Sequence, residues 1–357
     1  MSSKRLANYI ERLQPTHLKA SKPSDRPFNN ATAKDPPLLR PRGVNRILLF
    51  PGSFNPPHQG HLNLLKHVFE NAGEDLNIIA AIIVVTDDDR LEMKMENKNN
   101  AIILPREKRA ALWRGNGIPV DWAWVYDNTE ASWANFRANL LKELRKDRIQ
   151  LEFTMLCGPD AITGDGGYNS ECWDCRDAIT SDISRPVDFR YPNTLRQLSG
   201  CSPWAKLNYD RIRIEQQIRV NLNGRQASGK IPFQDHEADN ANHEQVVQAE
   251  LAKIFNKLNA VYICRQQRAK KKGSVRFLPC NLEQRPANAP SSTKIRLIIE
   301  SSPQEELEKN LEGVALHPKL LVEYLKDLPK LVKRAVPKQG TEKEVTKKEH
   351  KWENIIW

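Results

Sequence analysis

No apolar run in this sequence approaches the roughly 20 consecutive residues that a membrane-spanning helix needs. Met1–Pro15 is broken by Arg5, Glu11 and Arg12, so it lacks the apolar segment of a secretory signal. Cysteine is scarce: six in 357 residues, at 157, 172, 175, 201, 264 and 280, too scattered for a disulfide framework. Reduced thiols and a cytoplasmic or nuclear location are expected; a mitochondrial leader stays open because the N-terminal stretch is basic. A zinc site is short of ligands. Cys172 and Cys175 make one CxxC pair that Cys201 or His236 can extend, but a second CxxC is missing. Nor is there a basic stripe interleaved with aromatics. Much of the formal charge of +11 lies near the ends, as in the lysines of Lys326–Lys348. The expectation is therefore polyanionic small-molecule substrates, no nucleic acid and no membrane, with a homo-oligomer possible.

What is present fits a globular enzyme: 39% hydrophobic and 28% charged residues, in a chain long enough for one large α/β domain with insertions or for two domains. Residues 14–43 are rich in Pro, Ser, Asn and Lys without apolar periodicity, so 1–43 reads as a flexible leader. The body, 44–328, opens with a short apolar run, Arg46–Phe50, that reads as a buried strand entering a loop at Pro51-Gly52. Leu64, Leu65, Val68 and Ala72 then recur at helical spacing. Ile78–Val85 is an apolar run suited to a strand covered on both faces. A helix over Pro105–Arg114, a strand around Val120–Val125, an amphipathic helix marked by Trp133, Phe136, Leu140, Leu141 and Leu144, and a strand at Phe153–Cys157 follow. This alternation predicts a doubly wound, Rossmann-like parallel sheet with helices on both faces and ligands at the carboxyl ends of its strands. From about 180 to 256 the pattern gives way to a polar insertion, read as partly helical and partly disordered. Strands resume at Ala260–Cys264 and Val275–Pro279, with helices at Thr293–Glu300 and Leu320–Leu328. Residues 329–357 form a charged tail whose Trp352–Trp357 end can dock on the body or on another chain.

Two segments carry chemistry. Gly52-Ser53-Phe54-Asn55-Pro56-Pro57-His58-Gln59-Gly60-His61 joins the first strand to the first helix. Gly52 is expected to let the backbone leave the strand in a conformation closed to side chains, and Gly60 to let a ligand approach the helix start. Free N–H groups and the positive dipole end there favour a phosphate, and His58 and His61 flank it as donors. The second segment is Ser291-Ser292-Thr293-Lys294-Ile295-Arg296. Its hydroxyls cap a helix whatever else they do, while Arg296, about one turn in, can grip two phosphate oxygens.

These segments resemble the two signature motifs of the nucleotidyltransferase superfamily with the HxGH motif, and within it the chain most resembles nicotinamide mononucleotide (NMN) adenylyltransferases. Leu156-Cys157-Gly158-Pro159-Asp160 is similar to that family's CGxD segment, Asp127–Leu144 to its acidic turn and helix, and Leu321–Leu325 to its closing helix. The resemblance covers about 45–180 and 260–328. It implies AMP transfer from ATP to a mononucleotide with release of pyrophosphate, as in NAD biosynthesis. By it His58, His61 and Arg296 are catalytic, and Gly52, Ser53, Phe54, Gly60, Gly158, Asp160, Ser292 and Thr293 bind ATP. Mg²⁺ comes with the ATP, on phosphates and water, with no protein ligand named. For the acceptor it implies Trp173 as a stacking ring, unless that ring fills the core; Lys94, with Lys98 as the alternative; and Arg265 after the fifth strand, unless it is a solvated surface arginine. The chain departs from the family where Thr129 takes the place of a second tryptophan. Two other readings follow: a related transferase with a different acceptor, of phosphopantetheine or cytidylyl type, or a regulatory nucleotide-binding protein with weak ATPase activity.

Overall fold

A computed structural model of the chain describes residues 4–14, 26–30, 32–33, 35–96, 102–114, 118–165, 173–227, 238–267, 273–281, 283, 285 and 289–326. In chain order its elements are β1 (Lys4–Arg5), α1 (Leu6–Leu13), β2 (Leu38–Leu39), β3 (Val44–Gly52), α2 (Gln59–Asn71), β4 (Ile78–Val85), α3 (Asp88–Met95), α4 (Arg106–Trp113) and β5 (Ala123–Val125). They continue with α5 (Trp133–Lys146), β6 (Gln150–Leu156), β7 (Asp177–Ser181), β8 (Arg190–Tyr191), β9 (Thr194–Leu195), β10 (Ala205–Lys206), α6 (Arg211–Ala227) and α7 (Ala238–Ala260). The last are β11 (Tyr262–Arg265), β12 (Ser274–Leu278), α8 (Ser292–Ser301), α9 (Leu307–Leu311) and α10 (Pro318–Lys326).

The central sheet has eight strands in the order β10-β11-β12-β7-β6-β3-β4-β5. β12, β7, β6, β3, β4 and β5 pair in parallel with one another; β11 and β10 are antiparallel additions at one edge. Counted from β3 along the chain, the parallel strands run 3-2-1-4-5-6, the doubly wound order whose switch point lies between the first strand and the fourth. Here these are β3 and β6. Alternation of side chains along each strand loads both faces: Ile47, Leu49, Ile82 and Phe153 face α1 and α5, while Leu48, Phe50, Ile83 and Leu156 face α2 and α4. The Rossmann-like α/β sheet expected from the sequence is present.

Three expectations change. The leader is folded in its described parts. Leu6, Ala7, Tyr9 and Ile10 line one face of α1 and are buried on the core that holds α5, with Phe28 and Leu39 beside them. An eight-residue helix is too short for its periodicity to stand out of a polar sequence. The insertion begins later than 180, because β7 runs to Ser181 in the middle of the sheet. Beyond it α6 and α7 pack on one another through Ile214, Ile218, Val247, Leu251 and Phe255. Pro105 caps α4 rather than opening it. The tail expected over 329–357, and Cys172, His236 and Lys98, lie outside the described residues. Among the described residues no helix is long and apolar enough to cross a membrane.

Candidate functional site

The carboxyl ends of β3 and β6 open into a cleft of about 320 Å³ lined by the loop after β3, the turn after β6, α3 and the start of α8. Gly52, Ser53, Phe54, His58, Gly60, His61, Lys94, Gly158, Asp160, Ser292, Thr293 and Arg296 all line it. Segments far apart in the chain thus meet where a doubly wound sheet binds its ligands.

His58 and His61 form a reciprocal cap at the start of α2. His61 N–H donates to His58 Nδ1 at 3.3 Å and His58 N–H donates to His61 Nδ1 at 3.2 Å. The rings stack at 3.5 Å between centroids. Because each Nδ1 accepts, the hydrogen-bond pattern assigns the proton of both rings to Nε2, which is left for the cleft. Burial, and then the Arg185 cation, holds His58 down at about 3. Burial first, then His58, Arg185 and Lys94, lowers His61 as well. Two neutral N–H donors therefore stand side by side.

The first turn of α2 offers fewer free amides than a bare helix end. Gln59 N–H is taken by Val314 O at 2.9 Å, and His61 N–H by His58, which leaves Gly60. A Cβ on Gly60 would meet His58 Nδ1 at 3.0 Å and Pro290 O at 3.1 Å, tighter than most such contacts, so glycine lets α2, the imidazole and the α8 approach come close without displacement. Gly52 needs no special backbone angle, contrary to expectation: the left-handed residue is Phe54, at φ 45°, and its ring would lie 2.6 Å from a Cβ on Gly52. Gly52 makes room for Phe54, which in turn packs edge-on against His61 at 4.9 Å.

At the start of α8, Ser291 Oγ accepts from Lys294 N–H at 3.1 Å, the expected cap. Ser292 Oγ donates to Pro56 O at 2.9 Å, and Arg296 Nη1 donates to Asn55 O at 2.8 Å. Ser292 and Arg296 thus clamp the histidine loop, and Arg296 Nη2 reaches Thr293 Oγ1 at 3.1 Å. Half-buried, the guanidinium keeps further N–H groups for the cleft.

Two arginines escaped the sequence reading. Arg109 on α4 is fully buried beneath the loop, and its guanidinium holds Leu104 O at 2.8 Å, Ser53 O at 2.6 Å, Thr86 O at 2.8 Å and Asp88 Oδ1 at 2.6 Å. Arg185, in the turn after β7, lines the cleft and ion-pairs with Asp160. A Cβ on Gly158 would lie 2.8 Å from Asp160 Oδ1, so this glycine gives the carboxylate its place. Lys94 is carried on α3, whose N-cap residue Asp87 donates its N–H to Glu130 Oε2 at 3.3 Å while the Asp87 carboxylate accepts from Glu130 N–H at 2.9 Å and Ala131 N–H at 3.1 Å. This exchange fastens α3 to the turn that holds Thr129.

Trp173 and Arg265 do not join the site. Trp173 is buried in the core with Phe153 and Phe189 rather than lining the cleft. Arg265 ends the antiparallel β11, exposed, with its N–H on Ser202 Oγ at 3.1 Å. The arginine that follows the fifth parallel strand is Arg185, because β7 precedes the insertion. Cys201 hydrogen-bonds Cys264, and no described cluster of His, Cys, Asp and Glu could hold a metal.

Residues 49–181 match the sequence model of a family described as Cytidylyltransferase-like. The chain matches none of the curated proteins. Among solved structures it is similar to Plasmodium falciparum nicotinic acid mononucleotide adenylyltransferase complexed with NaAD, at 15% identity and a TM-score of 0.24, over 38% of this chain and 64% of that one. The chain thus spans less than two thirds of that protein. Over its matched residues, which include the histidine loop and the Gly158–Asp160 turn, the chain is similar to cytidylyltransferase-like proteins of the nucleotidyltransferase superfamily, and this supports a transferase.

Proposed function

We propose that the protein transfers AMP from ATP to NMN, forming NAD and releasing pyrophosphate. The observation that carries this reading is the pair of buried, stacked imidazoles set between the starts of α2 and α8, each accepting a backbone N–H at Nδ1 and so leaving Nε2–H for the cleft. The acceptor's phosphate oxygen, already an anion, attacks the α-phosphorus of ATP. A P–O bond forms, the bond to the bridging oxygen of the β-phosphate breaks, and pyrophosphate leaves with that electron pair. No protein nucleophile or base is needed, so the protein's work is alignment and charge stabilisation. His58 and His61 Nε2–H with Gly60 N–H donate to the oxygens of the transferring phosphate. Arg296 and the Ser292 and Thr293 amides hold the β- and γ-phosphates, Asp160 and Gly158 take the ribose, and Lys94 and Arg185 meet the remaining phosphate charge.

The donor set fits a magnesium ion carried in by the triphosphate. Asp160 is the one carboxylate among the described lining residues and is already paired with Arg185, whereas Mg²⁺ keeps much of its water and needs few protein ligands. When bound, the ion would neutralise charge on the leaving pyrophosphate.

The burial of Trp173 and the presence of Thr129 favour a second reading in which the same chemistry serves another phosphate acceptor. The test is product analysis with ATP and Mg²⁺ and, in turn, NMN, nicotinate mononucleotide and phosphopantetheine, and with CTP and phosphocholine. NAD from NMN supports the first reading and product from another acceptor the second. Phosphate release without transfer, or no turnover, overturns both in favour of a regulatory nucleotide-binding protein.

A further inference from the structure

Asp182, directly after β7, is the one fully buried carboxylate among the described residues. It is held from three sides. Arg190, in β8 of the insertion, and Arg285, on the approach to α8, both ion-pair with its Oδ2, and Cys280 N–H donates to Oδ1 at 2.8 Å. The same groups grip the backbone: Arg285 Nε donates to Asp182 O at 2.9 Å and Arg190 Nη1 to Cys280 O at 3.1 Å. Asp182 itself does not line the cleft, but Ser184 and Arg185 do. On the other side, Pro290 and Ser291, which follow Arg285 in sequence, also line the cleft, and Pro290 O lies close to Gly60.

We infer that Asp182 is a positioning residue that joins the insertion to the nucleotide cleft, fixing through one carboxylate both the turn that presents Arg185 and the approach to α8. Three features argue against a filler role. A carboxylate shut away from water needs full hydrogen bonding, and here it comes from the insertion through Arg190 and from the chain beyond the insertion through Cys280 and Arg285. Both segments end on cleft-lining residues. The carboxylate also divides two guanidiniums, so losing it leaves two cations facing each other between the walls and drives the segments apart. Arg190 then links the insertion to catalysis without touching substrate.

The inference rests on the nucleotide-transfer reading for its ligand, so the test begins with wild-type binding of Mg²⁺-ATP by calorimetry. Absence of binding removes that reading and this inference with it. Given binding, Asp182→Asn should weaken ATP at least tenfold and Arg190→Met about threefold. Leu251→Ala, in the α6–α7 core, lowers stability and leaves ATP affinity unchanged, which separates lost stability from lost positioning. In an Arg185→Ala background, Asp182→Asn should cost much less than it does alone, because the residue it positions is gone. Losses that multiply independently, or Arg190→Met binding ATP like wild type, overturn the inference. Should Asp182→Asn fail to fold, the same cycle run with Arg190→Met decides it.

Discussion

The two walls of the cleft are built by opposite means. The wall of the histidine loop and α8 is neutral at its centre and locked: backbone N–H to Nδ1 bonds, the Ser292 and Arg296 clamps on Pro56 and Asn55 carbonyls, and buried Arg109 beneath. The other wall, the Asp160–Arg185 ion pair, is made of partly exposed charges whose partners a polyphosphate can replace, while Lys94 Nζ reaches Ser53 Oγ at 3.5 Å on the histidine loop. Preorganised donors act on charge that develops during reaction, whereas partly solvated cations contribute mainly to binding. The difference assigns rate to the first wall and affinity to the second.

The comparison can be broken by substitutions ordered by expected effect. Trp173→Ala, on the segment between β6 and β7, should cost about 3–5 kcal/mol of stability, as for other buried tryptophans, and leave the ratio of acceptor to ATP KM unchanged; a selective rise in acceptor KM would return the ring to the site. His61→Ala should lower kcat by about 10²–10³-fold, the effect of losing one preorganised donor, with ATP KM nearly constant. Arg185→Ala should do the reverse, raising ATP KM about tenfold, or about 1.4 kcal/mol, with kcat little changed. If both variants change the same parameter, the division between the walls is wrong.

pH offers a milder probe. The His58 ring is held at about 3 when folded, against about 6.5 for an exposed histidine. The unfolded chain therefore binds a proton that the folded one refuses. The stability this ring contributes is whole above about pH 6.5 and drains as pH falls towards 3, by about 1.4 kcal/mol per pH unit. Urea unfolding between pH 6 and pH 5 should show this slope added to that of His61, whose ring is lowered as well, and His58→Gln should remove the His58 share while leaving the His61 share. Last, Arg265→Ala should change neither stability beyond about 0.5 kcal/mol nor any kinetic constant.

Much of this was readable in the sequence, and the failures share a cause. β3, β4 and β6 announce themselves because a strand covered on both faces must be apolar throughout. The histidine loop and the α8 start are legible because glycine, imidazole and hydroxyl groups stand at fixed offsets from helix starts. β7 is hidden because Asp177-Ala178-Ile179-Thr180-Ser181 buries two hydroxyl residues, and Thr180 Oγ1 donates to Cys157 O at 2.9 Å, a partner directly after the neighbouring strand β6. With β7 missed, Arg185 loses its place after the fifth strand and Arg265 inherits it. Arg109 sits in Arg-Glu-Lys-Arg, which reads as a solvated helix face; its burial depends on the Ser53 and Thr86 carbonyls that the fold brings beside Leu104 O. Polar groups satisfied at long range leave no local pattern.

The central claim is that both imidazoles are neutral Nε2–H donors to a phosphate, and long-range ¹H–¹⁵N correlation spectra of the histidine rings test it directly. From pH 5 to pH 8, His58 and His61 should keep the signature of the Nε2–H tautomer without titrating, and both Nε2 resonances should move when Mg²⁺-ATP is added. Titration of either ring near pH 6.5, a proton on Nδ1, or resonances indifferent to ATP would contradict the account.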